Sequence, residues 1–597
     1  MYRKAVSLVL AYLFLSSAFN VTWRPAQSRG GLTSQESQVI ALVNGTNAYN
    51  YALKLEEIAL NHDVSKYSFR AGGSVGAFET AMWIEARFES FGLEAYRESF
   101  EFTNWTLLSQ PELVIDYDGN ALTVNDQILI KSFQSAHYSW PTSQSGVFGD
   151  LVVLPLPEAT SRDEIGLHPI DTTLWNTVDT AGKILLIGKE VRWNKRWEQT
   201  FKSKLTDQPP AAVIYTWWYD WMSFTPPVLS SGGGRPMSGL GAYFWNSGIP
   251  VGWVDYEDGL LIRNLEENSN VSAKVIINSV VGFGAHYNVI GRLQSSANPE
   301  KFIIVSGHYD TVMTSGFCDN AAGTAGVIEL ARIFSEAFEN GSYAPKYTIL
   351  FVAFASEELW LVGSVNYVSK HKAQMKDIIA VVNVDSIGSD ELAVSETPGD
   401  GLNLDDLVLE AASDLNVSAR LINPGGSDQE AFRNPEESSL FYTRWGLDAN
   451  ISDAVPVKSS TMISSSPILY TDKWSQGKPG WIHTSYDNST STQTLGWVEP
   501  DDLQNQIRVA ALSIMRVSLS AYSDSSTPFP WLTPTTILVF TVVAAVVLAV
   551  VTAYFAKVRK PPPAQNEEAS VQKSAVFFHK NPSMVYPDSS APKWWHC

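Results

Sequence analysis

Seven side chains in this 597-residue sequence could do chemistry together: His308, Asp310, Asp319, Glu357, Glu358, Asp385 and His483. Most stand just past short apolar runs. His308 and Asp310 follow "FIIVS", Glu357 and Glu358 follow "TILFVAFA", and Asp385 follows "IIAVVN", while Asp319 opens "DNAAG" and His483 stands in "WIHTSYD". Imidazole and carboxylate donors suit zinc and similar divalent ions, and two ions about 3.5–4 Å apart need a bridging carboxylate with outer ligands on either side. Asp319 is expected to bridge, with His308 and Glu358 completing one site and Asp385 and His483 the other. Asp310, two residues past His308 and so on the same side of an extended segment, can accept the free imidazole N–H and fix its tautomer. Glu357 is then left without a metal. A carboxylate in that place can take a proton from a metal-bridging water and return it to a leaving amine.

Taken singly, these residues have plainer readings. Asp319 could cap a helix, Glu357 and Glu358 could favour the positive end of a helix dipole, His308 and Asp310 could be a hydrogen-bonded pair, and His483 could be a surface histidine. What the plainer readings leave unexplained is five potential ligands at one edge of one sheet. That edge follows from the pattern between residues 276 and 520, where strands alternate with helices: "FIIVS", a helix from about Thr324 to Phe338, "TILFVAFA", a helix after Gly363, "IIAVVNV" and the closing "DDLQNQIRVAALSIMRVSL". Such alternation predicts an α/β fold, a mainly parallel mixed sheet with helices on both faces, and ligands bind beyond the carboxyl ends of its strands. Residues 34–135 begin with an amphipathic helix that ends near Gly92 and runs into an alternating strand. Residues 140–272 are strand-rich, with turn signals such as "SSGGGRPMSGLG".

With 45% hydrophobic and 17% charged residues the chain can bury a large core. Its 42 basic and 62 acidic residues give a net charge of −20, which repels a phosphate backbone and argues against nucleic acid as a partner. The ends suggest a compartment. Residues 1–19 read as a signal peptide, and the uncharged run 535–556 is about long enough to span a membrane as one helix. Lys557, Arg559 and Lys560 follow it at once, so the positive-inside bias places residues 557–597, a disordered tail by composition, in the cytoplasm. The body is then expected outside the cell membrane, or lumenal, as a single-pass type I glycoprotein. Sequons at Asn44, Asn104, Asn270, Asn340, Asn416, Asn450 and Asn488 agree with that orientation. Cys318 and Cys597 would lie on opposite sides of the membrane and cannot pair. Oligomeric state is left open, a homodimer included.

"GHYDT", "DNAAG", "SEELWLVGS", "NVDSIG" and "HTSYD", in this order and spacing, resemble the M28 family of co-catalytic zinc peptidases, with "HYNVIGRL" and "FRAGGSVGAFETAMWIEARFESFGLEAY" as flanking elements. The resemblance covers residues 34–135 and 276–520. It implies a dizinc exopeptidase fold, two zinc ions per chain held by His308, Asp319, Glu358, Asp385 and His483, Glu357 as general base, and a cis peptide after Asp319. The implied partner is a peptide or protein substrate with a free terminus. "TAGKILLIGKE", "PPAAVIYT" and "NSGIPVGWVDYEDGLLI" resemble a protease-associated domain, inserted at 140–272. Where the family usually carries Gly, this chain has Trp360. Tyr470 and Tyr442 are the candidate oxyanion donors, and Cys318 reads as a small buried residue. The absence of an arginine cluster near "SSSPILYTDKW" favours an aminopeptidase over a carboxypeptidase of glutamate carboxypeptidase II type. A scaffold resembling transferrin receptor or nicastrin and a glutaminyl cyclase are the rival readings.

Overall fold

The computed structural model describes residues 31–62, 69–117, 127–168, 172–220, 239–389, 391–397, 402–422, 426–443, 448–465, 482–491 and 498–519. The expected leader (1–19), span (535–556), tail (557–597) and Tyr470 lie outside them. Among the described residues no helix is long and apolar enough to cross a membrane.

The sheet that positions the site has eight strands: β1 (Glu94–Leu107), β2 (Ser279–Leu293), β3 (Asn298–His308), β4 (Tyr347–Phe354), β5 (Ile378–Val384), β6 (Leu392–Ser395), β7 (Ala419–Ile422) and β8 (Ser460–Ser465). Their order is β1-β2-β4-β3-β5-β8-β6-β7. The central β4, β3, β5 and β8 run parallel, while β1, β2 and β6 pair antiparallel with neighbours. The sequence explains why these four are central. Every residue of β4 is buried, as expected of a continuous apolar run covered on both faces. Helices Gly45–Asn61, Val75–Ser90, Gly323–Glu339, Val362–Lys370 and Pro500–Leu519 supply cover. Ser74 caps Val75–Ser90 by accepting from Ala77 N. Burying a Val, Leu, Ile or Phe side chain contributes about 1.5–3 kcal/mol, so the core through β3, β4 and β5 makes their carboxyl ends a rigid platform.

A second eight-stranded sheet lies within residues 112–276. Its strands Val147–Leu154, Ile184–Gly188, Ala212–Thr216 and Val251–Trp253 are parallel, and helices such as Lys195–Asp207 run between them. The middle region is thus richer in helix than its turn-dense sequence suggests. Glu112–Tyr117, grouped by sequence with the preceding residues, instead pairs with Val271–Ile276 and buries Leu113 and Ile115 in this sheet. An alternating strand records which face it buries but not which sheet it joins.

One buried acid here gives a pH dependence. Burial pushes the Glu190 carboxyl up to about 7 from an ordinary 4.5, opposed by its own backbone N–H, the Trp218 N–H at 3.3 Å and the nearby Lys189 and Arg263. A raised acid contributes stability that is fully present below pH 4.5 and lost as pH rises to about 7, on the order of 3 kcal/mol in all. Glu190→Gln is expected to flatten that loss, and thermal melts at pH 5 and pH 8 should show the variant gaining on wild type only at the higher pH.

Candidate metal centre

The chemistry-bearing residues converge where β3, β4 and β5 end. His308 is the last residue of β3, and Asp385 follows the last residue of β5 directly. Asp319 sits in the segment Phe317–Ala322 ahead of helix Gly323–Glu339, and its peptide bond to Asn320 is cis. His308 Nε2 lies 3.2 Å from Asp319 Oδ1 and 3.6 Å from Asp385 Oδ1. His483 Nε2 lies 3.0 Å from Asp319 Oδ2 and 3.1 Å from Glu358 Oε1. Two triads result, His308–Asp319–Asp385 and Asp319–Glu358–His483, each with its ligand atoms within 4.8 Å of one another.

Asp319 therefore stands between the triads, one oxygen turned to each, while the outer ligands are divided otherwise than the sequence suggests. His308 goes with Asp385 and Glu358 with His483. Adjacent parallel strands β3 and β5 end side by side, bringing His308 against Asp385. The turn at Ser356 carries Glu358 past the end of β4 toward the loop of His483. Neither strand adjacency nor the course of that turn is written in the residue types.

The donor set fits zinc. Ligand bonds of about 2.0–2.2 Å in a tetrahedron separate ligand atoms by roughly 3.3 Å, near the separations found, and three protein donors leave a fourth position open. The field is that of a cation site as well. Burial opposes charge on both imidazoles, yet Asp385 and Glu357 around His308, and Glu358 with Asp319 around His483, raise both well above the ordinary histidine range. Buried carboxylates at this density require positive charge among them.

Asp310 does more than the sequence suggests, and through different atoms. The Nδ1–H of His308 points to the Asp310 backbone carbonyl at 3.2 Å, with the carboxylate 3.6 Å away. That contact leaves Nε2 with its lone pair free to ligate a metal. The carboxylate instead accepts the backbone N–H groups of Glu357 at 2.9 Å and Glu358 at 3.2 Å, which orients both glutamates. Glu358 is buried and Glu357 partly exposed. Burial, with Glu358, Asp428 and Asp385 adding to it against the pull of His308, holds the Glu357 carboxyl well above the usual carboxylate range. A carboxyl in that place is within reach to take a proton from a water and return it.

The turn carrying the glutamates is strained. Ser356 (φ +59°), Trp360 (φ +75°) and Leu361 (φ +59°) all occupy the left-handed region. Trp360 thus adopts a conformation that favours glycine, at a typical cost of about 1–3 kcal/mol. Fully buried Asn288, on β2, braces the turn from both sides: its Oδ1 accepts from Ala355 N at 3.2 Å and its Nδ2 donates to Gly363 O at 2.9 Å. Asn288→Ala leaves two buried backbone groups unpaired and is expected to lower unfolding free energy by about 2–5 kcal/mol in denaturant titrations.

Three buried groups escaped the sequence reading. Arg70 donates to the carbonyls of Leu55, Tyr309, Ser315 and Gly316 and so fixes the loop joining His308 to Asp319. Its only signal was its place in "FRAGGSVGAF". Asp487 accepts from Cys318 N at 2.7 Å and Asp319 N at 3.3 Å, and burial beside the Asp319 charge pushes it up to about 8. It lies four residues past His483, within "HTSYD". Burial pushes Asp428 up to about 7 against the pull of His308, with Asp310 and Asp385 adding to the rise. Nothing in the sequence marks it. Cys318 is buried and unpaired. The Tyr442 hydroxyl accepts from Asn366 Nδ2 at 3.0 Å and belongs to neither triad.

A mainly parallel α/β sheet thus carries at its carboxyl edge two carboxylate–histidine triads that share one aspartate and could each hold a metal ion. Residues 288–498 match the model of Peptidase family M28. A probable zinc metalloprotease of Pyrenophora teres f. teres is 28% identical over 155 residues, 24% of this chain and 32% of that protein. A glutamate carboxypeptidase 2 homolog of Caenorhabditis elegans is 32% identical over 217 residues, 36% of this chain and 25% of that protein. The matched stretches thus span about a third or less of these curated relatives. The solved structure of BSAP, a zinc aminopeptidase from Bacillus subtilis, shares the fold over 81% of this chain and 97% of its own, with a TM-score of 0.53 and 19% identity.

Proposed function

We propose that the chain is a dizinc exopeptidase that removes residues from the free N-terminus of peptides, with Glu357 as general base. The supporting observation is the pair of triads sharing Asp319, with the partly exposed Glu357 beside them. Zinc bound there would polarise the scissile carbonyl and lower the pKa of the attacking water. His308, Asp319 and Asp385 would hold one ion, and Asp319, Glu358 and His483 the other. Glu357 takes the proton of the water as it attacks and delivers it to the leaving amine, so no covalent intermediate with the protein is needed. Asp310 keeps Glu357 oriented through its amide. A scaffold or a single-zinc cyclase would have no use for two complete triads.

The second reading, a carboxypeptidase, draws on the likeness to the Caenorhabditis elegans homolog. Four versions of one peptide, with the N-terminus free or acetylated and the C-terminus free or amidated, separate the two. An aminopeptidase spares both acetylated forms, and a carboxypeptidase spares both amidated ones.

The second sheet, which resembles a protease-associated domain in sequence, is proposed to line the substrate cleft. The run 535–556 with its basic flank supports anchoring by one helix, with the catalytic body outside or lumenal.

A further inference from the structure

The turn bearing Glu357 is also held from the side away from the metal ligands. Ser356, fully buried and left-handed, brings Oγ within 2.6 Å of His286 Nδ1, and His286 Nε2 lies 2.5 Å from Asn104 Oδ1. His286 sits between Phe100, stacked at 5.4 Å, and Phe102, edge-on at 5.9 Å. That burial pushes its pKa down to about 4, so the ring is neutral at neutral pH. An amide oxygen only accepts, so Nε2 carries the proton, Nδ1 is bare, and the Ser356 hydroxyl donates to it. The Phe102 backbone bonds the same ring.

The surroundings leave this chain of bonds no slack. A Cβ on Gly73, itself at φ +78°, would lie 2.0 Å from Asn104 Oδ1, and one on Gly72 would lie 2.6 Å from Ser356 Oγ. The glycines of "FRAGGSVGAF" therefore close over the relay. On the other side, Asn104 Nδ2 faces Gly284, where a Cβ would stand only 2.2 Å away. Next to Asn104 along β1, the Thr103 carbonyl accepts from the Tyr138 hydroxyl at 2.6 Å and Trp105 Nε1 donates to Ser139 O at 2.8 Å. Strand β1 cannot rotate to free the amide.

We propose that Asn104 and His286 are positioning residues for Glu357, acting through Ser356. The proposal rests on the reading of the chain as a peptidase. Ser356 is the last residue before Glu357, so its dihedrals set where the glutamate points, and its left-handed conformation is one that a residue with a Cβ adopts only when held. Misplacing a catalytic group by about 1 Å can cost a hundredfold in rate.

The full chain, made in a glycosylating host, is tested as wild type, Asn104→Ala, His286→Phe, the double variant and Thr106→Ala, which removes the sequon and keeps the amide. Each single relay variant is expected to lower kcat per zinc-loaded molecule by about 10–100-fold with KM within about twofold, and the double variant to be no worse than the poorer single one. Thr106→Ala should match wild type in activity, which separates loss of the amide from loss of the sequon. Unchanged kcat in loaded relay variants of an active enzyme, or additive losses, would overturn the positioning claim alone. Wild type without peptidase activity would overturn the functional reading and the positioning claim together.

Discussion

Glu357→Gln is expected to lower kcat by about 10²–10⁴-fold while leaving both metal sites and the fold in place. Glutamine fills the same volume, keeps the backbone N–H that Asp310 accepts at 2.9 Å, and belongs to neither triad. What it loses is a carboxylate able to take a proton from water. Because that group does its work in the transition state, KM should change little, and the loss should appear in kcat and kcat/KM alike. Thermal melts and zinc content measured on the same sample check the rest. A variant that is slow because it has lost zinc or stability would show that Glu357 serves the site structurally and not as the base.

The second large effect concerns metal content, because the two triads are not interchangeable. Asp319→Ala removes the carboxylate common to both and is expected to take the zinc content of purified protein from two per chain to near zero. Paired variants then tell which ligands belong together. Replacing His308 and Asp385 by Ala strips one triad and leaves Asp319, Glu358 and His483 intact, so about one zinc should remain. Replacing His308 and Glu358 damages both triads and should leave almost none. If His308 shared its ion with Glu358, the two outcomes would be reversed. Metal analysis after exhaustive dialysis reads the answer directly.

Much of the site could be read in the chain because its residues stand at the ends of apolar runs, and an apolar run in a strand–helix alternation announces a parallel strand with its carboxyl end at the functional edge. His308, Glu358 and Asp385 were found in that way, and Asp319 by its place ahead of a helix. What was not legible depended on neighbours in space. The pairing of ligands followed from β3 lying beside β5, and the work of Asp310 from the turn that folds back over it. Arg70 and Asp428 are distant in sequence from the ligands they serve, and only the fold brings them close. His286 opens the flanking "HYNVIGRL", yet nothing in its type or spacing ties it to the turn of Glu357. The middle region shows the same limit at larger scale. Its strands were evident, but the helices between them and the membership of Glu112–Tyr117 were not.

The central claim is that this chain hydrolyses peptides from one end by means of the shared-aspartate metal centre. The measurement that tests it most directly is mass spectrometry of free-ended peptides incubated with zinc-loaded protein, with the same protein stripped by chelator, and with the stripped protein given zinc again. A ladder of products each one residue shorter at the N-terminus, absent after stripping and restored by zinc, is the expected result. Peptides left intact by folded, zinc-loaded protein, or cut at internal bonds irrespective of their ends, would contradict it.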